Sequence, residues 1–63
     1  MRVNYYFQGK CVRTHLSGDF IPRQGEWVTL RIDGNPVTLL VDGVSWIPEQ
    51  ATVELSLTEV RRQ

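Results

Sequence analysis

The sequence predicts an all-β domain, a small antiparallel meander of five or six strands curled into a barrel. Three observations predict it. Eight Val, three Ile and five Thr stand against a single Ala, and stiff β-branched side chains suit a pleated surface better than a helix. Glycine-bearing turn signals recur at Gly9-Lys10, Asp33-Gly34 and Asp42-Gly43. The runs between them alternate apolar and polar residues, as half-buried strands do.

The chain has 63 residues, so residues 1–63 form one small β-barrel domain. At this size folding hides only about 60% of the unfolded surface, and small domains commonly lean on disulfides, a metal or a partner subunit. Cys11 is the one cysteine, which excludes an internal disulfide and fits a reducing, cytoplasmic setting. No apolar run has the length of a signal segment or a membrane span. A partner subunit, a homodimer included, is the support left open.

The first hairpin is expected between Val3–Gln8 and Cys11–Leu16, with Gly9-Lys10 as a type II′ loop. That register opposes Phe7 with Val12, Tyr5 with Thr14 and Val3 with Leu16 on an apolar face. Tyr6–Arg13 and Asn4–His15 fall on the other. Ser17–Gly25 reads as a loop, with Phe20 and Ile21 anchored over one end of the core. The second hairpin joins Glu26–Ile32 to Pro36–Val41. A type I′ loop at Asp33-Gly34 opposes Leu30 with Val37 and Val28 with Leu39, and a loop at Gly34-Asn35 moves the pairing by two. The inward residues are the same either way. Pro36 lacks a ladder donor and belongs at a strand start.

Val37, Leu39 and Val41 are odd-numbered core positions, whereas Val44 and Trp46 are even. The change of parity at Asp42-Gly43 demands either a bulge or a reversal, and both readings stand. The last element, 52–60, is read as a strand because Val53, Leu55 and Leu57 alternate with Glu54 and Ser56. The rival is a helix, from Pro48-Glu49 and the spacing of Val53, Leu57 and Val60. Pairing Ile47 with Thr52 brings Trp46 opposite Val53 and Val44 opposite Leu55.

The segment Ile21-Pro22-Arg23-Gln24-Gly25-Glu26-Trp27-Val28-Thr29-Leu30, followed by Val41-Asp42-Gly43-Val44-Ser45-Trp46 and Val53-Glu54-Leu55-Ser56-Leu57, resembles a pattern in small bacterial and phage-borne proteins. It reads P-R-x-G-E-x-V-x-L, then V-x-x-V-x-W, then an alternating strand. The resemblance implies an SH3-like barrel and a phage or mobile-element origin, and it implies no activity.

Nothing in the residue pattern asks for catalysis. Cys11 and His15, the only soft metal ligands, lie on one strand about 13 Å apart at roughly 3.3 Å per residue, too far for one zinc ion or a Cys–His pair. Asp33 and Asp42 have turn roles beside glycine. The five glycines are scattered and form no phosphate-binding loop. The expectation is a chain that is not an enzyme and has no cofactor and no metal.

Two binding faces remain. Trp27 and Leu40 share the outward face of the second hairpin, with Arg31, Thr29 and Thr38 around them. An indole and a leucine inside a polar rim are the composition of a protein interface. Tyr6, Arg13 and His15 share the outward face of the predicted first hairpin, as aromatics and arginines do where small barrels bind single strands. Net charge is zero, which weighs against nucleic acid, because phosphate contacts dominate its affinity. The charge is uneven: residues 1–31 hold five bases and two acids, and residues 32–60 hold five acids and no base. The leading expectation is therefore a protein-binding or self-associating module, with nucleic-acid binding as the alternative.

Overall fold

The computed structural model describes residues 1–16 and 20–59. Five strands form one sheet: β1 (Arg2–Phe7), β2 (Lys10–Leu16), β3 (Trp27–Ile32), β4 (Asn35–Ile47) and β5 (Thr52–Thr58). Their order across the sheet is β2-β1-β5-β4-β3. The sheet curls through 236° into a half-barrel, consistent with a small SH3-like barrel. No helix of the described residues is long and apolar enough to cross a membrane.

The concave face carries the core. Val3, Leu39, Val41, Val53 and Leu55 are fully buried, joined by Tyr5, Leu30 and Leu57. Ile21 packs against this core as expected, whereas Phe20 is 67% exposed.

The second hairpin turns on Asp33-Gly34. Both residues have positive φ, 51° and 83°, the type I′ condition. Of the two registers weighed, this selects Leu30 opposite Val37 and Val28 opposite Leu39. Pro36 stands second in β4, opposite Arg31. Its position faces the β5 side, beyond Leu40–Thr58, the first described pair of that ladder.

Asp42 is a bulge, not a reversal, so β4 is one strand of 13 residues and the sheet has five strands, not six. Val41 pairs with Leu57 and Gly43 with Ser56, leaving Asp42 as the extra residue. The bulge bends the strand and returns Val44 and Trp46 to the concave side, opposite Leu55 and Val53. A 3-10 turn over Pro48–Gln50 and a left-handed Ala51 then reverse the chain. The segment after it is a strand through Thr58, with no helix in it. Residues 17–19 and Val60 lie outside the described residues.

The first hairpin corrects the expected register. Its loop is Gln8-Gly9, with φ of 54° and 77°, one residue earlier than Gly9-Lys10. Phe7 therefore pairs with Lys10 and Tyr6 with Cys11. A bulge at Val12 then shifts the ladder, so that Tyr5 faces Arg13, Asn4 faces Thr14 and Val3 faces His15. The residues that the II′ register placed outside, Arg13 and His15, belong to the concave side.

One pairing departs from an all-antiparallel meander. β1 and β5 run parallel, Val3 beside Val53 and Tyr5 beside Leu55. This junction joins the first hairpin to the β3-β4-β5 meander and puts two fully buried valines side by side in the core.

Candidate functional site

The face built by β3 and β4 begins at a turn. Glu26 N–H donates to Arg23 O at 3.0 Å, with Gly25 at φ 92° in the position a type II turn reserves for glycine. The Glu26 carboxylate in turn accepts the Arg23 N–H at 2.6 Å. Val41 N–H donates to Glu26 O at 2.9 Å, which seats the incoming chain against β4. These bonds give the Arg23–Glu26 stretch a structural purpose, of which the sequence pattern revealed only the glycine.

From this anchored start, alternation puts Trp27, Thr29 and Arg31 on the convex side. Trp27 sits opposite Leu40 and is 56% exposed; Leu40 is half-buried between Trp27 and Thr58. Thr29 and Thr38 share a hydroxyl hydrogen bond of 2.9 Å. Arg31 donates from one guanidinium nitrogen to Gly34 O at 3.0 Å, which holds its charge beside the hairpin turn. The structure thus brings Trp27, Leu40 and Arg31 onto one outward face.

The second predicted face is divided. Tyr6 remains on the convex side, where its hydroxyl donates to Glu54 Oε2 at 3.0 Å. That bond is the main reason its pKa lies above the ordinary tyrosine value. Arg13 and His15 lie on the concave side with Tyr5. The Tyr5 hydroxyl and His15 Nε2 are 2.7 Å apart, and the rings stack at 5.3 Å. Burial raises the Tyr5 pKa, and the Arg13 charge partly opposes it. Tyr6, Arg13 and His15 therefore form no common surface. The reason is the bulge at Val12: the earlier loop shifts the register by two and keeps every residue on its face, whereas the one extra residue turns Arg13 and His15 to the other side.

Cys11 and His15 are parted in the same way. Cys11 is exposed on the convex side, its thiol donating to Arg13 O at 3.5 Å and lying 3.4 Å from Thr14 Oγ1. His15 lies on the other face. Among the described residues no three metal-ligating side chains gather.

Sequence reasoning missed two features. Tyr5–His15 was hidden by the register. Trp46 has the inward parity expected of it and stands opposite fully buried Val53 near the end of β4, yet is 57% exposed. Searches of family models, of curated proteins and of solved structures returned no match to this chain.

Proposed function

We propose that this chain is a non-enzymatic, protein-binding or self-associating β-barrel module, cytoplasmic and of phage or mobile-element origin, working without metal or cofactor. The observation that carries it is Trp27, 56% exposed on a rigid strand beside half-buried Leu40. Covering the open part of such an indole is worth about 2–3 kcal/mol. Trp and Arg on a backbone held by turns are the residues in which interfaces concentrate their energy. The origin rests on the resemblance of the Ile21–Leu30 segment alone.

Trp27→Ser tests the reading. The variant should stay folded by NMR and lose self-association in analytical ultracentrifugation, or lose a partner that the parent retains. A variant that unfolds makes Trp27 a core residue; one that keeps every association removes the face.

Nucleic acid is the second reading. It rests on β2, whose seven residues hold Lys10, Arg13 and His15 and no acid. Salt-sensitive retention on single-stranded DNA, lost in Arg13→Ala, would favour it over the first.

A further inference from the structure

The sheet has two terminal strands, β2 and β3, and they are not alike. β2 carries a bulge at Val12 and two cations, devices that blunt an edge against pairing. β3 reads Trp-Val-Thr-Leu-Arg-Ile and pairs with β4 without a register shift. It has one charge, no proline and no glycine, and no strand of the described residues lies beyond it. Such an edge is a template for another strand.

Its open backbone groups can be identified. Glu26 O accepts from Val41 N, so Glu26 points its backbone at β4. Alternation sends Val28, Leu30 and Ile32 the same way. Trp27, Thr29 and Arg31 therefore present N–H and C=O to the side on which no strand of the described residues lies.

We infer that the partner of this face is a second copy of the chain, joined antiparallel, β3 to β3, about a two-fold axis through Thr29. This rests on the protein-binding reading above and names its partner. The two convex faces must lie on one side of the joined sheet, which requires like parities to meet. Among such registers, only the one centred on Thr29 gives all three open residues of each strand a partner from the same set. Trp27 meets Arg31 of the second copy, Thr29 meets Thr29, and Arg31 meets Trp27. Each pair exchanges both of its backbone bonds.

The side chains agree with that register. On the convex side an Arg31 guanidinium lies over an indole twice by symmetry, a favourable cation–aromatic pair. The two Thr29 hydroxyls meet at the axis, repeating the bond each makes with Thr38. On the concave side Val28 meets Leu30. A β2–β2 pairing instead sets like charges against each other, and a β2–β3 pairing is head-to-tail, leaving one open edge on each end unless a ring closes. β3 is the edge that is complementary to itself.

Amide exchange of the full chain by NMR, from low-micromolar to millimolar concentration, is the experiment. The Trp27, Thr29 and Arg31 amides should slow by at least about tenfold as a dimer forms, far more than Val28 and Leu30, which already bond to β4. In a Cys11→Ser background, Thr29→Cys should crosslink to itself with a two-carbon bismaleimide, and Arg31→Cys, displaced from its symmetry mate, should not. Thr29→Asp, which sets two carboxylates on the axis, should stay folded and become a monomer. A chain that is monomeric at millimolar concentration overturns the inference, as does a dimer whose three amides stay fast or whose Thr29→Cys form does not crosslink. Each of these outcomes leaves the protein-binding reading to its own test, the effect of Trp27→Ser on a different partner.

Discussion

The Tyr5 hydroxyl and His15 Nε2 stand 2.7 Å apart, their rings stacked across the two strands of the first hairpin. The contact exists because the Val12 bulge moves His15 onto the face of Tyr5 and Val3. It gives a buried phenol its hydrogen-bond partner at the margin of the core, where an unpaired hydroxyl costs about 1–3 kcal/mol.

Tyr5→Phe removes that bond and should lower stability near neutral pH by about 1 kcal/mol. The same residue shapes the alkaline limb. Its folded pKa lies above the ordinary 10.0, so the folded state holds the proton longer than the unfolded chain. The associated stability is intact below pH 10 and is lost as pH rises through the folded value. Urea melts between pH 8 and 11 should show a shallower decline in Tyr5→Phe, with the share of Tyr6 remaining.

Face assignment is tested by neighbours. Leu30 is buried in the core and Thr29 is exposed on the convex side. Leu30→Asp puts an unpaired charge in the core. A 63-residue chain has only about 3–9 kcal/mol of total stability, so this variant should unfold. Thr29→Asp should cost about 1 kcal/mol through loss of the Thr38 pairing. Equal loss of the folded NMR spectrum in both would refute the alternation.

Glycines should divide by backbone geometry. At Gly43 an added Cβ meets only Ser56 Cβ, at 3.6 Å, an ordinary contact. Gly43→Ala should be neutral or stabilising by up to about 1 kcal/mol, because it restricts the unfolded chain. Gly25 has φ 92°, so Gly25→Ala should cost about 1–2 kcal/mol and loosen the entry to β3. Thermal melts of the two variants give the comparison directly.

Cys11 is exposed, and its thiol makes only long contacts with Arg13 and Thr14. Cys11→Ser should leave the melting temperature within about one or two degrees, and the parent thiol should react with a maleimide in the native state.

What the sequence made legible was local. Asp33-Gly34 is a strong type I′ signal, and the runs around it alternate cleanly, so the Trp27–Leu40 face followed from turn and parity together. The break of parity at Asp42 was visible too, although choosing bulge over reversal needed β5 in place beside it. The first hairpin was misread because Gln8 takes a left-handed conformation usually left to Gly, Asn or Asp, and because nothing in Cys11-Val12-Arg13 announces an extra residue. The parallel β1–β5 junction leaves no local trace, since two short apolar strands can meet in either direction. Trp46 shows the limit of periodicity: it fixes the side on which a residue lies and says nothing of how much of a large side chain the fold covers.

The parallel junction also governs how the chain reaches its native state. Arg2 lies beside Thr52 and Phe7 beside Leu57, a separation of 50 residues at every step. The antiparallel hairpins close over loops of two residues, or four between β4 and β5, in microseconds, whereas this pairing must first gather nearly the whole chain and bear its loop-closure entropy. Fast local hairpins followed by a late, long-range docking step place folding in the millisecond-to-second regime of non-local β proteins. During synthesis Val3 and Tyr5 must wait for β5, which follows the other described strands, before they can be covered. The first hairpin is thus the part of the molecule longest exposed to the wrong partner, and its outer strand carries the bulge and cations that keep an edge from pairing.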